Sequence, residues 1–157
     1  MDNMERELFI RDADPEEAKK LVEIYSYYVL NTAVSFEYEV PSVADFEDRI
    51  VGYAYAGPYS SREAYNWTAT TSIYVDKDYR RQGIGSLLYK ELEKRLKEQG
   101  IVNLLAGAAY SDEEDEYLTH DSYNFHIQSG YTKAAHMKTI GKKFDRWYDL
   151  LWMQKKL

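Results

Sequence analysis

Two arginines and two glycines stand at the start of a helical pattern in the stretch YVDKDYRRQGIGSLLYKEL, residues 74–92. A helix N-terminus exposes unpaired backbone N–H groups and attracts anions, and glycines in the preceding turn let an anion approach the backbone. Gly83 and Gly85 meet that requirement. Arg80 and Arg81 add positive charge at an end where the helix dipole alone favours acidic residues. The stretch therefore predicts a site for a polyanion.

The spacing of these residues excludes two common phosphate-binding motifs. A mononucleotide-binding loop needs a Gly-Lys-Ser/Thr run, which does not follow Gly85. A dinucleotide fingerprint needs a third glycine where Leu88 stands, and a shorter loop after the strand. The residues alone leave one alternative open, in which the glycines only shape a tight turn and the arginines are solvated.

Strand and helix patterns alternate around this stretch. Asp14 followed by Pro15 predicts the start of a helix, whose apolar positions continue to about Leu30. Helices are also predicted over residues 42–50, from Ile84 to Gly100 and over residues 121–130, and strands at 7–14, 51–57, 66–75, 101–110, 133–141 and 147–155. This order predicts an α/β fold with a mixed sheet.

Composition narrows the class of protein. A chain of 157 residues with 45% hydrophobic and 30% charged residues predicts one globular domain over residues 1–157. The net charge of −7 repels polyanions and argues against a nucleic-acid partner. The chain has no cysteine, its three histidines lack metal-ligand spacing, and no apolar run suggests a signal peptide or membrane span. We therefore expect a cytoplasmic protein without a bound metal and without a membrane partner.

The pattern Arg-x-x-Gly-x-Gly, from Arg80 to Gly85, follows the strand ending in SIYVD and resembles the acetyl-CoA signature of the GNAT superfamily of N-acetyltransferases. The resemblance implies the GNAT fold, a mixed and mostly antiparallel central sheet that splays around acetyl-CoA and is flanked by helices. Loop amides would hold the diphosphate, and the preceding strand would bind the pantetheine arm. The cofactor-binding residues that it implies are Ile73, Tyr74, Val75, Arg80, Arg81, Gln82, Gly83, Ile84, Gly85 and Ser86.

Further segments look like the phosphinothricin and L-amino-acid N-acyltransferase branch, namely EIYSYYVLNTAVSFE, GYAYAGPYSSREAYNWT, FHIQSGY and GKKFDRWYD. The branch implies acetyl transfer from acetyl-CoA to a primary amine by direct attack, with the α-amine of a small amino acid or an analogue such as phosphinothricin or methionine sulfone as acceptor. A homodimer is implied as well. The alternatives are a protein N-terminal or polyamine acetyltransferase and a non-catalytic acyl-CoA-binding module.

Five residues take candidate roles from this resemblance. His126 in FHIQSGY would give a proton to the departing thiolate or belong to a proton relay, unless it is only packed against the sheet. Phe36 and Glu37 in VSFE would line the substrate pocket, with Glu37 receiving a proton through water or holding the ammonium group; an exposed loop carboxylate is the alternative. Arg62 and Tyr65 in SREAY would bind the substrate carboxylate, unless Arg62 is a solvated loop residue.

The sequence departs from the branch in three places. Thr70 stands where the branch has the glutamate of W-T-x-Glu, so the usual base is missing and Thr70 becomes a substrate-binding candidate. The loop SDEEDEY is unusually acidic and would either select cationic substrates or only be solvated. Finally, a strand and hairpin turn of the branch have no counterpart at the join of Ile50 and Val51. We expect residues of the natural chain to be missing there, rather than a true lack of the strand.

Overall fold

The computed structural model describes residues 8–38 and 50–157. The α-helices in this part of the chain are Ala18–Asn31 (α1), Ile84–Glu98 (α2) and Asp121–Gln128 (α3). The strands are Gly52–Pro58 (β1), Thr68–Val75 (β2), Asn103–Tyr110 (β3), Thr132–Lys143 (β4) and Arg146–Lys156 (β5). These elements confirm the sequence predictions for residues 15–31 and 51–156 to within a few residues.

The strands form one sheet in the order β1-β2-β3-β5-β4. Only β2 and β3 are parallel among its neighbouring pairs, so the sheet is mixed and mostly antiparallel, as predicted. The connection from β2 to β3 runs through α2, since a parallel pair needs a long crossover. The α/β fold class is therefore confirmed.

The parallel pair separates after a short contact. Thr68–Thr70 of β2 pair with Asn103–Leu105 of β3, and no pairing follows although both strands continue for five residues, to Val75 and Tyr110. We call the space between residues 71–75 and 106–110 the gap. Backbone N–H and C=O groups that border it lack the ladder partner of an interior strand, so the gap offers hydrogen bonds to a bound molecule.

The main core lies between the sheet and the helices α2 and α3. Tyr89 and Leu96 of α2 are buried in it, which explains why the apolar stripe of this helix repeats at helical spacing. The other buried members come from the sheet and from the connection between α3 and β4: Ala69, Leu104, Ala106, Ala108, Tyr131, Leu151 and Met153. This packing holds α2 against the strand that borders the gap.

The start of α1 follows the predicted capping pattern. The Asp14 carboxylate accepts a hydrogen bond from the Glu16 N–H, and the Glu17 carboxylate accepts one from the Asp14 N–H. A 3₁₀ turn at Pro15–Glu17 then leads into the helix. This capping box satisfies backbone donors that a helix start leaves free, and so it fixes where α1 begins.

Two sequence predictions fail or lie outside the described residues. The strand predicted at 7–14 is wrong for residues 8–14, which form no strand. Ion pairs of Arg11 with Glu17 and of Asp12 with Arg95 attach this segment to the 3₁₀ turn before α1 and to α2 instead. The helix predicted at 42–50 lies outside the described residues except for Ile50. The expectation that residues are missing before Val51 stays a prediction, which an intact mass above 18.5 kDa for the natural protein would bear out.

Candidate functional site

The two faces of β2 point to different helices because side chains alternate along a strand. On one face, the Thr71 hydroxyl lies 3.3 Å from the Tyr89 hydroxyl of α2. On the other, the Tyr74 ring packs at 4.8 Å from Tyr25 of α1, centroid to centroid. We call these the α2 face and the α1 face. Both faces border the gap, so groups on opposite sides of the sheet can meet there.

The turn before α2 has the backbone conformation of an anion-binding nest. Arg81 and Gly83 both have positive φ, 61° and 80°. Alternation of left-handed with ordinary residues turns successive N–H groups toward one concave surface. Gly83 is the N-cap of α2 and brings no side chain to the first N–H groups of the helix. The turn therefore fits a diphosphate, and the left-handed Arg81 is a feature that the sequence did not indicate.

The turn also lies against the start of α3. A methyl group built at Gly85 would come within 3.0 Å of the Phe125 ring, so the two helices approach each other closely at this glycine. The Arg81 guanidinium lies 3.3 Å from the Asp121 carboxylate in an exposed ion pair. The side chains of Arg80 and Arg81 are both exposed in this turn, so an anion bound there would have two cations nearby.

Backbone groups of β2 face the gap. The Asp76 N–H donates to the Val51 carbonyl at 2.8 Å, on the side of β1. Because strand residues alternate in direction, the N–H and C=O groups of Ile73 and Val75 point the opposite way, toward the gap. The Tyr28 hydroxyl donates to the Val75 carbonyl at 2.5 Å. The gap thus retains the N–H groups of Ile73 and Val75 as donors.

His126 lies in the core and has partners for both ring nitrogens. It is 4% exposed, Nδ1 is 2.7 Å from the Ser122 carbonyl oxygen, and Nε2 is 3.1 Å from the Tyr89 hydroxyl. A carbonyl can only accept, so Nδ1 carries the proton and Nε2 accepts from Tyr89. Burial lowers the pKa of His126, which favours the neutral ring near pH 7.

Hydroxyl groups connect His126 with the gap. The Tyr89 hydroxyl and the Tyr131 hydroxyl each lie 3.3 Å from the Thr71 hydroxyl. Thr71 directly follows Thr70, the last residue of β2 that pairs with β3. The chain from His126 through Tyr89 to Thr71 therefore ends where the gap begins. Burial raises the pKa of Tyr131 to about 12, so this phenol keeps its proton at neutral pH.

The loop after α1 brings Phe36 and Glu37 to the α1 face. Ser35 is buried and its hydroxyl lies 2.8 Å from the Tyr25 hydroxyl, while Phe36 is half-buried and Glu37 is exposed. Burial raises the pKa of Tyr25, and the nearby Glu37 carboxylate raises it further. Glu37 therefore lies close to the phenol that packs on Tyr74, within reach of a molecule on this face.

The tyrosines of the α1 face form a continuous wall. Tyr74 is its centre, with ring centroids of Tyr25, Tyr53 and Tyr28 at 4.8, 5.4 and 5.6 Å. Tyr55 extends the wall because its ring lies parallel to Tyr53, 6.3 Å away. Such rings present an apolar surface with polar tips, which suits a small organic substrate. The sequence showed the surplus of tyrosine but not this arrangement.

Thr70 shares the α1 face by alternation, and its hydroxyl donates to the Gly57 carbonyl at 3.3 Å. Arg62 and Tyr65 lie in the connection from β1 to β2, both exposed, and Tyr65 packs on Tyr59 at 5.2 Å. Phe36, Glu37 and Thr70 are thus on one side of the sheet, and Arg62 and Tyr65 are near the first residues of β2. Their substrate roles stay predictions.

The acidic loop is held by its own carboxylates. Asp115 accepts from the Tyr117 and Leu118 N–H groups at 2.8 Å and pairs with Arg146 at 3.0 Å. Glu116 also pairs with Arg146, and Glu114 accepts from the His120 N–H. These contacts make the loop a folded connection between β3 and α3. They favour a structural role for most of its charges over the selection of cationic substrates.

Within residues 8–38 and 50–157, no group of histidine, aspartate and glutamate side chains could hold a metal ion. In the same residues, none of the helices is both long and apolar enough to cross a bilayer. The candidate site brings together a turn rich in N–H donors, a gap with free backbone donors, a tyrosine wall and a carboxylate.

A mixed sheet that separates beside an anion-binding turn places the protein among α/β proteins suited to bind an extended, phosphorylated molecule. Residues 42–152 match the family described as Acetyltransferase (GNAT) domain. The chain therefore belongs to the GNAT acetyltransferases and is an acyltransferase. The predicted family and activity are confirmed.

Similar proteins lie mainly in one branch of this family. The chain is 27% identical to a phosphinothricin N-acetyltransferase of Streptomyces viridochromogenes, over 96% of this chain and 88% of that protein. It is 29% identical to an L-methionine sulfoximine/L-methionine sulfone acetyltransferase of Salmonella typhimurium, over 94% of each chain. These alignments span 168 and 167 positions, more than the 157 residues of this chain, so the relatives contain residues without a counterpart here.

Two crystal structures resemble the fold closely. One is a phosphinothricin acetyltransferase of Sinorhizobium meliloti in complex with acetyl-CoA, with 28% identity, a TM-score of 0.80, and coverage of 94% of this chain and 86% of that one. The other is a ribosomal-protein-alanine N-acetyltransferase of Brucella melitensis, with 30% identity, a TM-score of 0.82, and coverage of 96% and 100%.

Proposed function

We propose that this protein transfers an acetyl group from acetyl-CoA to the α-amine of a small amino acid or a close analogue, of the phosphinothricin or methionine sulfone type. The observation that carries the proposal is the left-handed turn at Arg81 and Gly83 at the end of a strand that borders an open gap. The names of the curated relatives support the acceptor class.

Acetyl-CoA fits the groups of the α2 face. Its diphosphate would accept from the N–H groups of the turn and of the first residues of α2, Gln82, Gly83, Ile84, Gly85 and Ser86, with Arg80 and Arg81 adding charge. Its pantetheine arm would lie in the gap against the N–H groups of Ile73 and Val75, while Tyr74 points to the other face. The arm takes the place of the missing strand neighbour, which satisfies donors that the fold leaves free.

The acceptor would enter from the α1 face. Its neutral nitrogen attacks the thioester carbon, an oxyanion forms on the carbonyl oxygen near the Ile73 N–H, and the C–S bond breaks to give an amide and a thiolate. Since an α-amine has a pKa of about 7.7 to 8.0, part of it is neutral at pH 7. Glu37 takes the proton of the attacking nitrogen through a water molecule. We expect no acyl-enzyme, because cysteine is absent and no serine stands in the sequence context of a nucleophile elbow.

The departing thiolate needs a proton on the α2 face. The Thr71 hydroxyl is the member of the buried hydroxyl chain closest to the gap, and it can give its proton while receiving one from Tyr89. His126 completes the relay in its protonated form, in which Nε2–H gives a proton to Tyr89 and leaves the neutral ring with its proton on Nδ1; this is how we assign its predicted role. Arg62 and Tyr65 would bind the carboxylate of the amino acid, and Phe36 and Thr70 would line its pocket.

An assay of thiol release tests the proposal. The protein contains no cysteine, so coenzyme A is the only thiol that a thiol reagent detects. We expect release that depends on added amine and is fastest with amino acids and with methionine sulfone or phosphinothricin. Release at one rate with and without every amine would contradict the proposal.

A second acceptor class has one specific observation in its favour. The Brucella melitensis structure, at 30% identity, is named for a ribosomal-protein alanine as acceptor. A peptide that begins with alanine therefore belongs in the amine panel, together with a polyamine. Faster release with that peptide than with any free amino acid would assign the protein to N-terminal acetylation.

We also propose that the whole chain, residues 1–157, is one acetyltransferase domain that works as a homodimer in the cytoplasm. The family match over residues 42–152 supports the first point, and the lack of cysteine fits a reducing compartment. Light scattering with size-exclusion chromatography tests the dimer, for which a mass of about twice 18.5 kDa is expected.

A further inference from the structure

Lys143, the last residue of β4, is a buried lysine with a defined hydrogen-bond pattern. It is 2% exposed, and its Nζ donates to the Val29 carbonyl and to the Ser35 carbonyl, each at 2.6 Å. A buried ammonium group is costly unless it is paired and hydrogen-bonded. The two hydrogen bonds therefore compensate for the burial of the ammonium group. The steps of the proposed reaction assign Lys143 no role.

Both carbonyls belong to the segment that leaves α1. Val29 lies in the last turn of the helix, where unpaired carbonyls carry the negative end of the dipole and attract a cation. Ser35 lies directly before Phe36 and Glu37. One ammonium group thus joins the end of α1 to the residues of the predicted substrate pocket. Desolvation lowers the pKa of Lys143 and the Glu37 carboxylate raises it, which places the two charges near each other.

Gly141 supports the same loop from the same strand. It lies two residues before Lys143, on the same side of β4. A methyl group built at Gly141 would come within 2.5 Å of the Phe36 ring, so the ring rests directly on the glycine backbone. The Tyr38 hydroxyl also donates to the Lys142 carbonyl. The end of β4 therefore contacts the loop at the residues on both sides of Glu37.

The turn after β4 holds the end of this strand, where Gly141 and Lys143 lie. Phe144 and Asp145 both have positive φ, 50° and 58°, as in a type I′ hairpin turn between β4 and β5. Positive φ is unfavourable for phenylalanine, and stacking of the Phe144 ring on Tyr117 at 4.1 Å, with the rings 18° apart, holds the turn. The hairpin turn thus packs on Tyr117, whose carbonyl also accepts from the Ala33 N–H of the loop after α1 at 3.0 Å.

We propose that Lys143 and Gly141 are positioning residues that set the affinity for the acceptor amine by holding Phe36 and Glu37 over the α1 face. The inference rests on the proposed function, because it assumes that the acceptor binds on this face. It assigns to the β4–β5 hairpin a role in acceptor binding and none in acetyl-CoA binding, since every contact lies on the side of the sheet away from the turn at Gly83.

The test compares Lys143→Met with Lys142→Met. Methionine keeps the length and apolar stem but donates no hydrogen bond, and Lys142 is an exposed neighbour whose side chain pairs only with Asp145 among the described residues. For Lys143→Met we expect the KM for the amine to rise about tenfold, with kcat and the Kd of acetyl-CoA changed less than about threefold. Lys142→Met should match the wild type. An unchanged KM in Lys143→Met, or an equal loss of acetyl-CoA affinity, would overturn the proposal.

A second variant and a second measurement keep the test decisive. Gly141→Ala leaves Lys143 in place but displaces Phe36, so it should raise the same KM even if Lys143→Met does not fold. Hydrogen exchange of the amides of residues 32–37 should be faster in either variant, with exchange in α2 unchanged. If the wild type shows no amine-dependent thiol release, the proposed function is rejected. Unchanged hydrogen exchange of residues 32–37 in both variants would separately reject the positioning role of Lys143 and Gly141.

Discussion

The two faces of β2 differ in how far apart in the sequence their candidate site residues lie. On the α2 face, the turn at Arg81 and Gly83 and the helix that follows it occupy adjacent positions in the chain. On the α1 face, Glu37, Thr70 and Lys143 come from segments more than thirty residues apart. A local motif makes one half of the site, and tertiary contacts make the other.

The difference fits the chemistry of the two substrates. A diphosphate has the same shape and charge in every acetyl-CoA, and backbone N–H groups in a fixed turn recognise it without side chains. Acceptor amines differ in side chain and charge, and loops can vary without disturbing the sheet. We therefore expect changes on the α2 face to abolish binding of acetyl-CoA and changes on the α1 face to alter the choice of amine.

The largest expected effect is on the α2 face. Gly83→Asp should weaken acetyl-CoA binding about a hundredfold, because a carboxylate a few Å from the diphosphate costs roughly 1–4 kcal/mol. Aspartate tolerates positive φ, and a Cβ at Gly83 meets nothing within 4 Å, so the turn itself should persist. Isothermal titration calorimetry measures the change.

Gly83→Asn is the matched control, with the same size and the same tolerance of positive φ but no charge. It should bind acetyl-CoA within about tenfold of the wild type, the range that about 1 kcal/mol of backbone cost allows. Equal affinity of the two variants would mean that the turn does not hold the diphosphate.

The next largest effect is a gain in activity from a change on the α1 face. Thr70→Glu restores the carboxylate of the W-T-x-Glu pattern, and a positioned base contributes at least about a hundredfold in typical enzymes. We expect kcat/KM for the amine to rise about tenfold to a hundredfold at pH 7, with the Kd of acetyl-CoA unchanged. Thr70→Gln, similar in shape but not basic, should give no gain. A gain in both variants would show that the effect is one of packing.

Arg62→Gln tests the selection of amino acids over simple amines. Loss of a charge-assisted contact should raise the KM for an amino acid about tenfold. The KM for the matching amine without a carboxylate should not change. Folding should be little affected, since the Arg62 side chain makes no capping hydrogen bond at the turn that it precedes. An equal rise for both substrates would contradict the carboxylate contact.

The smallest effect concerns His126. The pKa of His126 is lowered in the folded protein, so the unfolded chain binds a proton at this residue more readily. The contribution of His126 to the free energy of unfolding is therefore complete above about pH 6.5 and is lost as the pH falls through the lower, folded pKa. His126→Gln should remove this part of the pH dependence, measured by urea denaturation at pH 5 and 7.5. If the relay operates, kcat should also fall about fivefold.

Tyr89→Phe separates the relay from packing. It removes the hydroxyl that joins His126 to Thr71 but leaves the ring in the core. A similar loss of kcat in both variants is expected from the relay. An unchanged kcat in Tyr89→Phe would contradict the relay. It would favour the alternative from the sequence, in which His126 is only packed against the sheet.

Local signals in the sequence predicted most of the fold. Asp14 and Pro15 predicted the start of α1, and Gly100 and Gly130 predicted the ends of helices. Alternation predicted β1, β-branched and aromatic content predicted β2, and a nearly all-apolar run predicted β3. The same alternation at residues 8–14 was misleading. It indicates which side chains share a face, but a strand also needs a neighbour whose backbone pairs with it. In the described part of the chain, β1 pairs with β2 alone.

The sequence predicted the site less completely than the fold. The glycine turn was visible because its requirement lies in the backbone of adjacent residues. The left-handed Arg81, the hydrogen bond from Tyr28 to Val75 and the buried Lys143 carried no such signal. Lys143 is one of two neighbouring lysines, and only the alternation of β4 and the position of the α1 loop decide which one is buried.

The separation of β2 from β3 would give the two products of the proposed reaction different exits. If acetyl-CoA lies on the α2 face and the amine on the α1 face, the finished amide can leave while coenzyme A is still held. The enzyme should then form a ternary complex before any product departs. The acetylated amino acid should inhibit competitively against the amine and not against acetyl-CoA. Accumulated product would then slow the reaction while acetyl-CoA stays bound.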